Sequence, residues 1–264
     1  MGRETVSKRG VSTTSIADTL AFPFRSDHAT NRLLAGVGLL FLSIIIPVLP
    51  ALVVYGYLIQ IMRQVIDGQP ARLPEWKDWG ALFVDGLKAV LVGLVYLLPG
   101  MLAFMIGLGA YCGSSLLLFG LSENTSATSG ADGVFAALLV VSMVALFLSF
   151  SIGAILSLLG ALPIPAAEAR LSESKSFGSA FALGRLYAVI KANPGGYIVA
   201  WLLLAGMWAF MYWGLMVAYY TLVLACLMPL LILPVSFYSL LVAAALFGEA
   251  YRDGAANLSG TKGG

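Results

Sequence analysis

Residues 33–62 read LLAGVGLLFLSIIIPVLPALVVYGYLIQIM, with no Asp, Glu, Lys or Arg among them. Such a stretch is too apolar for a water-facing surface, and a helix needs about 20 such residues to cross a bilayer. How the stretch divides decides the fold. Pro47 and Pro50 lie near its middle, and a proline inside a helix removes a backbone donor and clashes with the carbonyl four residues back. One tilted span would also put the basic residues on its two flanks on opposite sides of the membrane. The sequence therefore predicts a short hairpin: a helix over about 29–46, a turn at Pro47-Val48-Leu49-Pro50 and a return helix over about 51–66. A single span, or a re-entrant pair stopping short of the far side, is the alternative. Each arm is short for a crossing, and Arg32 and Arg63 are expected to snorkel to the interface.

The charges outside this stretch agree. All fifteen Lys and Arg residues fall in four patches: the N-terminal segment to Arg32, residues 63–88, residues 170–191, and Arg252 with Lys262. The segment 122–133 holds only acids, Glu123 and Asp132. Basic residues are retained on the cytoplasmic side, so both termini are expected to be cytoplasmic and 122–133 external. Asn124-Thr125-Ser126 in that loop is a glycosylation acceptor pattern. The first 32 residues contain no uninterrupted apolar core and no convincing cleavage site, so a removable signal peptide is not expected.

Composition supports the same class. Charged residues make up 11% of the chain and hydrophobic ones 60%, against about 25% charged in a soluble domain. Mean hydropathy is +0.93. The basic residues border apolar segments rather than forming a stripe with interleaved aromatics, which excludes a nucleic-acid partner. The expected partners are the lipid bilayer and other membrane proteins or a second copy of the chain.

Along the chain, residues 1–28 read as a polar tail with an interfacial segment, in which Pro23 argues against one continuous helix. Residues 67–80 form a cytoplasmic connector. Residues 81–121 suit one long helix, bent at Pro99-Gly100, whose first third lies near the cytoplasmic interface. Residues 134–162 cross back. In the cytoplasmic stretch 163–193, Phe177, Phe181, Gly184 and Ala188 share one face of an amphipathic helix, which Asn193-Pro194-Gly195-Gly196 ends. Residues 197–248 hold two crossings with a turn near Tyr219-Tyr220-Thr221, and Pro229 and Pro234 kink the last one. The expected fold is all-α: a polytopic helical integral membrane protein of about six membrane helices, the first two a short hairpin, with interfacial amphipathic helices. Residues 29–252 are expected to be a single transmembrane domain and 253–264 a flexible C-terminal tail. The pattern aromatic-Gly-x-x-Phe-x-x-Gly occurs at both Trp79–Gly86 and Phe177–Gly184. In so apolar a chain, chance explains it better than an internal repeat.

Chemistry is sparsely represented. His28 is the sole histidine, and Cys112 and Cys226 lie far apart in apolar runs. Both cysteines are expected to be small buried hydrophobes. No phosphate loop or dinucleotide fingerprint occurs. No catalytic, cofactor-binding or metal site is expected, and the chain is not expected to be an enzyme. Gly109 and Gly113 form a small-xxx-small pair expected to serve core packing. The apolar runs 33–62, 89–121, 134–162 and 197–248 contain no charged residue, which argues against a carrier with a midplane carboxylate. The best polar candidates are a cytoplasmic-face cluster of Arg63, Glu75, Asp78, Asp85 and Lys88. Its expected role is to lock the connector to the start of the next helix, and the competing role is binding or gating. Trp76 and Trp79 are the expected interfacial anchors.

The stretch 55–99 is distinctive. It carries Gly56-Tyr57-Leu58, Leu73-Pro74-Glu75-Trp76, Asp78-Trp79-Gly80 and Phe83-Val84-Asp85-Gly86-Leu87-Lys88. With these motifs the chain resembles the family of uncharacterised prokaryotic membrane proteins known as domain of unknown function 4013, well over residues 16–100 and in general character over 160–250. The resemblance implies a helical membrane protein and carries over no reaction, ligand or cofactor. The expected function is a structural or accessory component of a plasma-membrane assembly. The alternative is a transporter or channel for a small neutral or lipid-like solute.

Overall fold

The computed structural model describes residues 13–26, 28–124, 131–220 and 222–260. These form α1 (Thr13–Arg25), α2 (Ala29–Ile45), α3 (Leu49–Ile66), α4 (Trp79–Asn124), α5 (Ala131–Ala161), α6 (Ile164–Ser174), a 3₁₀ turn (Phe177–Phe181), α7 (Leu183–Ala192), α8 (Pro194–Tyr219) and α9 (Leu222–Gly260). No strand occurs among the described residues. Five helices are long and apolar enough to cross a membrane, and a sixth span results if α1 and α2, bent against each other at a short break, count as one. The all-α, multi-span reading is correct.

The hairpin at 29–66 is present with one refinement. The chain turns at Ile46-Pro47-Val48, and Pro50 belongs to the first turn of α3. A proline is tolerated there because the first backbone N–H groups of a helix have no intrahelical partner. Val48 adopts φ 78°, ψ −60°, and Leu49 N–H donates to the Pro47 carbonyl at 3.1 Å. That is a γ-turn, a tight and strained reversal for a β-branched residue.

The chain divides into two compact units: residues 1–92 with 165–264, and residues 93–164. In the first, α9 packs against α1, α2, α3, α7 and α8. Its core gathers Tyr57, Ile61, Leu82, Phe237 and Leu241. Close approach is set by glycine. A Cβ on Gly36 would fall on the Phe237 ring, one on Gly56 on the Leu82 carbonyl, and one on Gly86 on the Leu52 carbonyl. The last two pin α3 and the start of α4 backbone to backbone.

The second unit pairs the later part of α4 with α5. Gly160 meets Tyr96, Gly153 and Ser157 meet Gly100, and Ser149 meets Gly107. Rising numbers on one helix face falling numbers on the other, so the pair is antiparallel. Phe104 and Phe150 pack edge to face at 5.1 Å. The expected packing pair, Gly109 and Gly113, faces open space instead. The glycines that pack are Gly100 and Gly107, spaced so that they recur on one helix face.

Several local expectations are corrected. α1 is one helix that contains Pro23. The proline sits in its last turn. Phe177–Ala188 is not one amphipathic helix. A 3₁₀ turn ends at Phe181, Ala182 leaves helical geometry at φ −75°, ψ 69°, and α7 starts anew. The buried side chains of α7 are Leu186 and Val189, not Gly184 and Ala188. The same break separates Phe177–Gly184 from its echo in α4, which is α-helical throughout, so the two segments are no structural repeat. Cys112 is exposed, because an outward face that is itself apolar gives a thiol no reason to turn inward. The side chain of Cys226 lies outside the described residues, as do that of Pro229, the loop 125–130 with Thr125 and Ser126, and Thr221 in the break between α8 and α9. α9 runs on to Gly260, so the expected C-terminal tail is helical as far as that residue. Within it, Asn257 Nδ2 donates to the Ala192 carbonyl at 3.1 Å.

Candidate functional site

The connector between α3 and α4 is held by side chains of α2 and α3 and by Ser26 between α1 and α2. Leu73 is 1% exposed, and burial obliges both of its backbone groups to find partners. Its N–H donates to Ser26 Oγ at 3.0 Å, and its carbonyl accepts from the Arg32 guanidinium. The Pro74 carbonyl accepts from Tyr57 OH at 2.9 Å. Trp76 stacks on Tyr57, with ring centroids 4.0 Å apart and planes 9° apart, and its Nε1 donates to the Arg32 carbonyl at 3.0 Å. Trp79 continues the stack at 6.0 Å from Trp76 and is 51% exposed. Of the two expected anchors, Trp79 presents its ring outward while Trp76 is fixed to the protein.

The expected five-residue cluster separates into two groups. Arg63 and Asp85 form an ion pair at 3.0 Å, and Arg63 Nε also donates to the Ser172 carbonyl at 3.0 Å. Glu75 belongs elsewhere: it pairs with Lys77 and, at 3.5 Å, with Arg32. These cations, the Lys77 hydrogen bond foremost, hold the Glu75 carboxyl below its ordinary pKa. Asp78 is exposed and takes φ 54° just before α4, a conformation that Asp tolerates. Its carbonyl accepts from Leu82 N–H at 3.0 Å. Neither Asp78 nor Lys88 forms an ion pair among the described residues. Arg32 and Arg63, expected to snorkel, are both turned into the protein.

Beyond these, the ends of α3, α6 and α9 meet. Tyr251 OH donates to Glu173 Oε2 at 2.8 Å, Arg170 reaches the same oxygen at 2.8 Å, and Arg252 donates to the Val65 carbonyl at 3.3 Å. Thr19 of α1 donates to Glu249 at 3.1 Å. The residues at 63–65, 170–173 and 249–252, where three of the four basic patches begin, therefore gather in one place in the first unit.

A polar cleft of about 460 Å³ opens between the start of α2, the end of α3 and the connector, lined by Ser26, Arg32, Gln64, Gln69, Arg72 and Glu75 among others. Sequence reasoning missed Ser26, Arg32 and Tyr57 as partners of the connector. The one sequence signal of Ser26 and Arg32 is a polar side chain ahead of an apolar run, which cannot say whether it turns outward or inward, and Tyr57 lies inside that run.

The corner formed by α3, the connector and α4 is built from the residues quoted above as distinctive. The family described as "Protein of unknown function (DUF4013)" matches residues 39–227, well over half of the chain. The chain belongs to this family. The DUF4013 match is continuous through the second unit, so it extends beyond the two stretches in which the resemblance was read. No curated protein and no solved structure matches the chain. In this DUF4013 chain, Gly56 and Gly86 allow α3 and α4 to touch, Tyr57 and Trp76 stack, and Arg63 and Asp85 close the corner.

Proposed function

We propose that this DUF4013 protein is a non-enzymatic structural or accessory component of a plasma-membrane assembly. The observation that carries the reading is how its polar side chains are used. Arg63, Asp85, Arg32, Glu75 and Trp76 are fastened to one another or to backbone carbonyls, as suits a rigid frame. Outward surface is apolar and aromatic instead: Trp208, Phe210, Tyr212 and Trp213 on α8 are all exposed. Such side chains suit contact with lipid or with neighbouring membrane helices.

The proposed orientation places both termini on the cytoplasmic side. It is supported by the meeting of the basic-patch residues of α3, α6 and α9 in one place, since patches on opposite faces of a bilayer could not hydrogen-bond to one another. Cysteines introduced at positions 70 and 175 should label from the same compartment, and labelling from opposite compartments would overturn the orientation.

Native purification in mild detergent with mass spectrometry tests the function. Stoichiometric membrane proteins should accompany the chain. A monodisperse lone particle with a continuous polar cavity would replace this reading by a transporter or channel for a small neutral or lipid-like solute.

A further inference from the structure

We propose that the cleft between α2, the end of α3 and the connector binds a phosphate group. The first support is its pair of arginines. Arg32 is fixed in place by the Leu73 carbonyl and by Glu75, and its side chain is 18% exposed, so it lines the cleft as a held cation. Arg72 also lines the cleft, is exposed, and has no hydrogen-bond or ion-pair partner among the described residues. An arginine fork matches a tetrahedral oxyanion in charge and geometry, and two of them suit phosphate better than a monovalent carboxylate.

The second support is a pair of neutral donors beside them. Asp67 and Gly68 close α3, with Gly68 at φ 78°, and Gln69 N–H donates back to the Gln64 carbonyl at 2.9 Å. This tight reversal brings both glutamines to the lining of the cleft. Their amides can donate to phosphate oxygens without adding charge. Among the described residues Glu75 is the one carboxylate in the lining, and Lys77 pairs with it, which leaves the charge of Arg32 available to a ligand. The volume, about 460 Å³, lies within the range of about 300–1,000 Å³ typical of small-ligand sites.

The same chemistry has two sources, the headgroup of an anionic lipid and a soluble phosphate compound. The full chain, purified in detergent, would be titrated with inorganic phosphate and separately with dioctanoyl phosphatidic acid, using dioctanoyl phosphatidylcholine as control and thermal stabilisation as readout. Saturable stabilisation of the wild type by phosphatidic acid alone identifies a lipid headgroup. Stabilisation by inorganic phosphate alone identifies a soluble ligand, and stabilisation by both identifies a site that reads the phosphate itself. In each case Arg72→Gln, a change at an exposed side chain that should leave folding intact, is expected to weaken binding by about tenfold or more, the loss of one charge-assisted contact. Gln69→Ala should weaken it less. If neither probe binds saturably, or if Arg72→Gln binds both as the wild type does, the proposal is wrong.

Discussion

Arg63 and Asp85 meet at 3.0 Å across the α3–α4 corner, and each side chain is only 24% exposed. A partly buried ion pair exerts its effect mainly when broken, because the surviving charge is then left less well solvated. Arg63 carries a second obligation, the Ser172 carbonyl at 3.0 Å. Arg63→Ala should therefore lower stability by about 2–3 kcal/mol, and Asp85→Ala, which leaves Arg63 on Ser172, by about 1 kcal/mol. Differential scanning fluorimetry of the purified variants would check the order. Equal melting temperatures for wild type and Arg63→Ala would show that the pair holds nothing together.

Gly86 and Gly93 lie seven residues apart on α4 and should respond in opposite ways. A Cβ at Gly86 would collide with the Leu52 carbonyl oxygen, which is backbone and cannot swing aside, whereas a Cβ at Gly93 meets nothing within 4 Å. Gly86→Ala should abolish the folded monodisperse peak in fluorescence size-exclusion chromatography. Gly93→Ala should preserve it and gain slightly from helix propensity.

Trp76 contributes through two separable contacts. Trp76→Phe keeps an aromatic ring against Tyr57 but loses the bond from Nε1 to the Arg32 carbonyl, and is expected to cost about 1 kcal/mol. Trp76→Ala loses the stack as well and should cost about 3 kcal/mol. Thermal melts of the two proteins side by side would separate the contributions, and identical losses would mean that the ring adds nothing.

Tyr197 is 4% exposed, and its hydroxyl is buried without a hydrogen-bond partner among the described residues. Desolvating a hydroxyl with no compensating bond is unfavourable. Tyr197→Phe should therefore be neutral or raise the melting temperature, by up to the equivalent of about 1 kcal/mol. A clear drop would show that the hydroxyl is satisfied in solution, for instance by an ordered water.

Glu75 supplies a pH test. Its pKa is lowered in the folded protein, first by Lys77 and then by Arg32 and His28. A lowered folded value means that the stabilisation is present above the unfolded carboxyl range of about 4.3 and is lost as pH falls through the folded value. The wild type should melt slightly above Glu75→Gln at neutral pH, and the difference should vanish in acid. Because the group is exposed, added salt should shrink the difference too. A difference that persisted at low pH and high salt would mean that the carboxylate acts by another route.

Much of the backbone plan was legible because it follows from rules that act locally along the chain. Proline at positions 47 and 50 had to break the apolar run, and Asn193-Pro194 had to separate two helices. In the structure Asn193 Oδ1 accepts from Gly196 N–H at 3.1 Å, capping α8, with Pro194 as its first residue. The site was legible only in part. Of the cluster Arg63, Glu75, Asp78, Asp85 and Lys88 expected on one face, Asp85 pairs with Arg63 while Glu75 turns to Lys77 and Arg32. The partners of Arg32, the Leu73 carbonyl and Glu75, were not legible, because an arginine at the start of an apolar run is compatible with either direction.

The sequence by itself determined that this chain is a bundle of apolar helices and where most of them begin and end, because hydrophobic burial, proline geometry and the exclusion of charge from lipid depend on residue type and spacing. Only the tertiary structure decided which glycines pack, which charges pair and which tryptophan stays outward. In a helix that is apolar on every side, periodicity no longer marks an inner face, and a long polar side chain has several partners within reach until the backbones around it are fixed.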